Sequence, residues 1–405
     1  MVEFQRRLSN LWKDTEFRAP PTILYGPHSL ERLPEELKKL ARDKGVGKAL
    51  VVTGKKVWKL YGERLEAILK NTEVDYVVFN DIPTEPKDTY VEEGLRVYER
   101  NKCDFLIAIG GGSPIDTAKA IGILATNGGH ISDYMGMNKV KKPTPPLVAI
   151  PTTAGTGSEV TKYTVITETK NNVKMLIGSP YIIPDVSVVD PLLTITSPPK
   201  LTATTGLDAF CHAIEAFVSK KAQPLTDIVA LEAIRLISEN LRKAWSNGED
   251  MEARSNMALA AMLAGLAINN SSVTLIHGMS RPLGACFNLP HGLSNAVLLP
   301  VWAEFTYIAT PEKFSQVAIA MGENISGLSV LEAAEKAVQA IKRLVRDLNI
   351  PNLKELNIDH KKFEECLEKM ANDAIASGSP ANNPRSVTKE DIIKLYKRAY
   401  NYKLE

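Results

Sequence analysis

Asp208 and His212 stand four residues apart in Gly206-Leu-Asp-Ala-Phe-Cys-His-Ala-Ile-Glu215, and two more histidines follow at 277 and 291. Residues at i and i+4 share one face of a helix, so the Asp208 carboxylate and the His212 imidazole can converge on one point. Histidine is scarce, with six in 405 residues, and three of the six fall in this region. One carboxylate with three imidazoles is a mixed oxygen and nitrogen donor set. It suits Fe(II) or Zn(II) better than Ca(II) or Mg(II), which prefer oxygen alone. Taken by itself, the Asp208/His212 pair fits a buried helix acid beside core histidines just as well. The surrounding motifs decide between the two.

Gly110-Gly111-Gly112-Ser113 follows the apolar run FLIAI and precedes a helix opening with Pro114. Glycines let backbone N–H groups approach a diphosphate, and the helix N-terminus adds positive dipole character. Ser113 fits an N-cap, Pro114 the first helical position, and Asp116 completes an S-x-x-D capping box. A second loop, Pro151-Thr-Thr-Ala-Gly-Thr-Gly-Ser-Glu159, also follows an apolar strand. It offers hydroxyls and flexible backbone, and loops at the carboxyl ends of parallel strands are where open α/β sheets bind ligands. A third run spans His277-Gly-Met-Ser-Arg281 through Pro290-His291-Gly292 to Asn295. Its glycines and prolines are expected to bend the chain repeatedly and so return His291 to the neighbourhood of His277.

The elements that must position these residues split the chain in two. The first half alternates β-branched runs with helical patterns, the mark of an α/β sheet. Strands are expected near Thr22 (PTILYG) and at Lys48–Thr53, Asp75–Asn80, Phe105–Gly110 and Leu147–Pro151. The last two are apolar throughout, which implies burial on both faces of a parallel sheet. Helices are expected at about 57–70, 88–101 and 114–125, and a hairpin with a final strand over 163–190. After the Pro- and Thr-rich stretch Asp190–Thr205, helical periodicity takes over at about 206–220, 224–242, 250–269, 328–348, 361–376 and 388–400. We read residues 1–197 as a dinucleotide-binding α/β domain and 198–405 as an all-helical metal-binding, catalytic domain.

At this length two domains are the default, because single cores stop growing at about 250–300 residues. A net charge of +2 argues against nucleic acid or an anionic membrane as partner. The longest apolar run, Met257 to Ile268, is too short to span a bilayer. The four cysteines, at 103, 211, 286 and 366, are scattered and suit the reduced thiols of a cytoplasmic protein. The first residues, MVEFQRRLSNLWKDTEF, lack the apolar core of a secretory signal.

GGGSPIDTAK, PTTAGTGSEVT, GLDAFCHAIEA and HGMSRPLGACFNLPHGLSNAVLLP stand in the order found in the iron-containing (group III) alcohol dehydrogenases, which the chain closely resembles. The resemblance runs from PTILYG to SGSPANNPR and covers nearly the whole sequence. It implies the dehydroquinate synthase-like fold, with a Rossmann-like parallel-sheet domain followed by a helical metal domain, in a homodimer. It implies Asp208, His212, His277 and His291 as metal ligands, with Fe(2+) expected and Zn(2+) the second choice. It implies Gly111, Gly112 and Ser113, with Asp116, as the pyrophosphate loop, Thr152, Thr153 and Thr156 on the nicotinamide side, and Lys174 at the cofactor ribose. Many members carry a histidine, often assigned to proton relay, where this chain has Arg281. An arginine stays protonated and cannot be a general base near neutrality. Water or cofactor ribose hydroxyls are then left to carry the proton.

The expected reaction is hydride transfer between a primary alcohol or its aldehyde and a nicotinamide. A divalent metal with an open position lowers the pKa of an alcohol that it binds, so an alkoxide forms near neutral pH. Cofactor choice is read from Thr53-Gly54-Lys55-Lys56. Many NAD-using relatives have an aspartate where Gly54 stands. Glycine leaves room for a 2′-phosphate and the lysines offer charge, so NADP(H) is expected ahead of NAD(H). A dehydroquinate synthase-like lyase and a zinc glycerol dehydrogenase are the alternatives on this fold. The lyase needs a basic pocket of which the sequence shows Arg281 and little else.

Overall fold

The computed structural model describes residues 14–403 other than Thr84 and Asn172. The N-terminal segment read for a signal lies mostly outside the described residues, as does one residue of the turn expected between the hairpin strands. The first half runs β1 (Thr22–Tyr25), α1 (Leu33–Lys44), β2 (Lys48–Val52), α2 (Lys55–Lys70), β3 (Asp75–Phe79), α3 (Asp88–Arg100), β4 (Phe105–Gly110), α4 (Gly112–Asn127), β5 (Gly136–Met137), β6 (Leu147–Pro151), β7 (Tyr163–Glu168), β8 (Val173–Gly178) and β9 (Val186–Val189). Six of these strands form a parallel sheet in the order β1-β9-β6-β4-β2-β3. The hairpin β7–β8 pairs antiparallel and takes β5 at its edge.

The alternation along β4 explains its unbroken apolar sequence. Phe105, Ile107 and Ile109 pack with Leu37 of α1 and Leu65 of α2 on one face. Leu106 and Ala108 pack with Val91 of α3 and Ile115 of α4 on the other. None of these five strand residues is more than 1% exposed. From β2 the chain steps outward to β3 and then returns as β4 on the opposite side of β2. That reversal opens a crevice at the carboxyl ends of β2 and β4, where open α/β sheets take dinucleotides.

The second half is helical: α5 (Pro199–Val218), α6 (Pro224–Ser246), α7 (Met251–Asn270), α8 (Leu275–Phe287), α9 (His291–Thr306), α10 (Pro311–Ala320), α11 (Val330–Asp347), α12 (His360–Ala376) and α13 (Lys389–Tyr400). Helix α5 begins earlier than its periodicity suggests. Pro199 occupies its first turn, where a missing N–H costs nothing. The Thr204 and Thr205 hydroxyls donate back to the Lys200 and Leu201 carbonyls at 3.0 and 2.8 Å, so a threonine-rich stretch is held helical. No single helix among the described residues is long and apolar enough to cross a membrane. The apolar run from Met257 instead lies within α7, with Ala260, Ala264 and Ala267 fully buried.

Two expectations need correcting. The 277–295 run is not repeatedly bent. It forms two helices, α8 and α9, with Pro282 and Pro300 inside them, joined by one tight turn. Burial overrides the proline penalty, since α9 from Leu293 to Ala303 lies in the helical core. Asn288, at φ 53, makes the turn in the left-handed region that asparagine tolerates. Nor does the capping box at Ser113 form. The helix begins two residues earlier, Gly111 is its N-cap, and no side chain caps it. Helices α1, α8, α9 and α10 were missing from the periodic segments read in the sequence.

The two halves meet through small residues. Val160 and Val189 pack with Ala258, Met262 and Leu266 of α7. Gly157, at φ 62, lies directly against Gly265 of α7, where an added Cβ would stand 2.8 Å from the Gly157 carbonyl oxygen. Backbone on both sides leaves nothing to move aside. Gly265→Ala should therefore destabilise the protein by about 1–3 kcal/mol through overpacking, read as a lower urea midpoint.

Candidate active site between the two domains

Helix α5 presents Asp208 and His212 one turn apart, α8 presents His277 near its start, and α9 opens with His291. The Nε2 atoms of His212, His277 and His291 lie 4.0, 3.6 and 3.6 Å from Asp208 Oδ1. One ligand atom from each of the four residues lies within 4.8 Å of the others. Donors on a shared ion with bonds of roughly 2.0–2.2 Å stand about 3.5 Å apart, close to this spacing. Asp208, His212 and His277 are at most 5% exposed, and His291 opens onto the cleft.

The electrostatics suit a cation. Burial alone would raise Asp208, but the three imidazoles outweigh it and hold the carboxyl far below its usual range. Burial pulls His212 down to about 4, against Asp208, and pulls His291 well below its ordinary value. Both therefore offer neutral lone pairs at neutral pH. His277 goes the other way: burial opposes its charge, but Glu215 and Asp208 prevail and raise it. The Nε2 atoms of His277 and His291 also stand 3.0 and 3.3 Å from Asn295 Nδ2, which donates to Asp208 Oδ1 at 2.6 Å. The residues present fit a divalent metal.

Two supporting residues escaped the sequence reading. Glu215 is fully buried and binds His277 Nδ1, which leaves Nε2 turned inward. Its other oxygen accepts from the Thr274 and Ile276 N–H groups, both at 2.9 Å, and from the Thr274 hydroxyl at 2.7 Å. Asn295 is the second. Helical spacing was the available signal, since Glu215 is seven residues beyond Asp208 and Asn295 four beyond His291.

Across a cleft of about 510 Å³, the first domain contributes Gly111, Gly112, Ser113, Thr153, Thr156 and Lys174. The first N–H groups of α4 carry no side-chain cap and so remain open to an anion. Thr152 stands behind this surface: it is 6% exposed, and its N–H donates to the Gly110 carbonyl at 2.8 Å. Asp116 ties the two loops together, its carboxylate accepting from Ser158 Oγ at 2.5 Å and Val165 N–H at 2.8 Å. Beside it the buried Lys119 donates to the Ser158, Thr161 and Tyr163 carbonyls at 2.6, 2.9 and 2.8 Å. Lys174 pairs with Glu85 at 3.0 Å. Gly54 and Lys55 sit at the end of β2, outside the residues that line the cleft, and Lys55 pairs with Asp81 at 2.7 Å.

A parallel sheet with an open glycine turn, facing a buried carboxylate and three imidazoles, is the layout of a two-domain dinucleotide oxidoreductase. Residues 20–191 match the iron-containing alcohol dehydrogenase family, and residues 202–400 match the C-terminal part of the Fe-containing alcohol dehydrogenase family. The chain is 42% identical over 389 residues to 1,3-propanediol dehydrogenase of Klebsiella pneumoniae, covering 95% of this chain and 98% of that one. It is 42% identical over 387 residues to the NAD-dependent methanol dehydrogenase of Bacillus methanolicus, covering 95% and 100%. A crystal structure of 1,3-propanediol oxidoreductase matches with a TM-score of 0.91 at 42% identity, covering 96% and 100%. The chain belongs to the iron-containing alcohol dehydrogenase family.

Glu215→Gln places an amide among groups that all donate and loosens His277. Metal affinity should fall about 10–100-fold, measured by chelator competition on folded protein. Metal uptake should also release a proton from His277. Its raised pKa keeps that proton to higher pH, so affinity should climb with pH through the raised value and level off above it. Calorimetry in buffers of different ionisation enthalpy reads this directly.

Proposed function

We propose that the protein is a metal-dependent alcohol dehydrogenase and aldehyde reductase, with Asp208, His212, His277 and His291 as ligands of Fe(2+), or of Zn(2+) as second choice. The observation that carries this reading is the cleft, where four convergent donors face an uncapped glycine turn. When bound, the metal acts as a Lewis acid on the alcohol or carbonyl oxygen, and a nicotinamide dinucleotide carries the hydride. The protein's part is to hold the two against each other. Gly111, Gly112 and Ser113 offer the pyrophosphate backbone N–H groups and the α4 dipole. Thr153 and Thr156 line the nicotinamide side, with Thr152 fixing their loop to the end of β4. Lys174, steadied by Glu85, is placed for the ribose.

Arg281 remains protonated and takes no proton, so water or ribose hydroxyls carry it. No protein nucleophile is required. Burial pushes the Cys103 thiol up to about 11 and the Cys211 thiol well above the ordinary value, which leaves both inert. The decisive assay is metal-loaded protein with butanal and NADPH or NADH: loss of the reduced cofactor supports the dehydrogenase. Phosphate release from a sugar acid phosphate would support the lyase instead. His277→Ala/His291→Ala should abolish metal content and turnover while dinucleotide binding stays nearly intact. Full turnover by that variant after chelation would end the metal mechanism.

NADP(H) stands ahead of NAD(H) on the charge of Lys55 and Lys56. Asp81 sets the balance, because it already holds Lys55. An acid at residue 54 is a poor test, since a Cβ there would stand 2.9 Å from the Ile82 carbonyl oxygen. Asp81→Asn should raise the NADP over NAD ratio of kcat/KM about three- to tenfold, and Lys55→Ala/Lys56→Ala should lower it by a similar factor. Ratios that stay fixed in both variants would show that this turn does not read the 2′ position.

A further inference from the structure

Arg281 stands one helical turn beyond His277 on α8 and lines the same cleft as the four donors. It is 7% exposed, and its one hydrogen bond to a described residue is to a neutral group, from Nη1 to Ser379 Oγ at 3.1 Å. Among the described residues no carboxylate pairs with it. The acids that line the cleft are engaged elsewhere: Glu85 with Lys174, Asp116 with Ser158 and Val165, and Asp208 within the histidine cluster. Glu215 is the acid whose charge reaches it, yet both Glu215 oxygens are filled by Thr274, Ile276 and His277. Burial pulls the guanidinium below its ordinary value, with Glu215 and Tyr163 acting against that pull. It nevertheless stays charged.

A buried cation without a counter-ion is costly, and such groups are ordinarily paired. Here Arg281 lines the cleft together with the metal-type cluster, and among the described residues only its Nη1 makes a side-chain hydrogen bond. Lys221 lines the cleft as well and adds a second positive charge to it. Ser377, Ser379 and Asn382 add neutral polar lining to the same cleft. Arg281 and His277 are at i and i+4, which separates their Cβ atoms by roughly 5–6 Å. A short molecule can therefore reach both at once.

We propose that Arg281 is the anion-binding residue for a short aldehyde that carries a carboxylate, with its carbonyl at the Asp208, His212, His277 and His291 cluster and its carboxylate on the guanidinium. This rests on the dehydrogenase reading above and names its substrate class. The reaction is reduction of the aldehyde carbon: the nicotinamide delivers a hydride to carbon, a proton from water goes to oxygen, and the hydroxy acid leaves with its carboxylate unchanged.

The test compares two four-carbon aldehydes, butanal and 4-oxobutanoate, on the metal-loaded full chain. The wild-type protein should show a kcat/KM at least about tenfold higher for 4-oxobutanoate, and Arg281→Met should cut the 4-oxobutanoate over butanal ratio about ten- to a hundredfold. Arg281→Lys should recover part of the ratio, because a lysine keeps the charge but not the fork. The loss should fall mainly on KM for 4-oxobutanoate. Butanal turnover with no gain from the carboxylate would sink this proposal and leave the dehydrogenase reading standing. An Arg281→Met variant that weakens dinucleotide binding but keeps the aldehyde ratio would assign the guanidinium to the cofactor and also overturn it. No turnover of either aldehyde with either reduced dinucleotide would defeat the dehydrogenase reading itself, and this proposal with it.

Discussion

Asp208 is a carboxylate taken almost wholly out of water, and the helical domain is arranged to answer its charge. Three helices, α5, α8 and α9, each contribute an imidazole within 4.0 Å of one of its oxygens, and Asn295 adds an amide donor. A buried anion without such partners would give up its charge. Glu215, one turn beyond His212 on α5, repeats the device on the far side of His277. Its hydrogen bonds to Thr274 and Ile276 also fix the start of α8, just after the chain turns by 103° from α7. The cluster and the local course of the backbone are thus one constraint.

The sheet domain is held against these helices where the second loop and β9 meet α7, and again where β8 meets α8, and the cleft lies between the two halves. The glycine contact between residues 157 and 265 lets the second loop lie on α7 without side chains between them. Lys119 and Asp116 hold the same loop to α4 from the other side. The loop therefore serves the domain interface and the cleft wall together. Two glycine-bearing turns at neighbouring strand ends then face the metal-type donors, as the strand-order reversal between β2 and β4 requires.

Much of this was legible in the sequence where the signal is periodic or chemical. The apolar runs of β4 and β6 named themselves, because strands covered on both faces have no polar alternation. The i, i+4 spacing of Asp208 and His212 placed both on one helix face. The run from 277 to 295 was misread because its glycines and prolines look like breakers, and nothing local says that the core will bury Pro282 within a helix. Ser113 looked like a cap because Ser-Pro-x-Asp is the pattern of one. In the fold the Asp116 carboxylate finds Ser158, 42 residues away, and the glycine before the helix takes the cap position.

The sequence by itself determined the donor types, the two-part division of the chain and the absence of a histidine at 281, since each is carried by residue identity or by spacing within one element. The tertiary structure decided which charges are spoken for. Lys55 is held by Asp81, Lys174 by Glu85 and Glu215 by the start of α8, whereas among the described residues Arg281 meets Ser379 and no acid. A charge keeps or loses its freedom through partners far away in the chain, so this is invisible to periodicity. Asp81 follows Lys55 by a whole helix and strand, and Ser379 lies 98 residues beyond Arg281. Only folding brings such groups within the few ångströms over which a hydrogen bond acts.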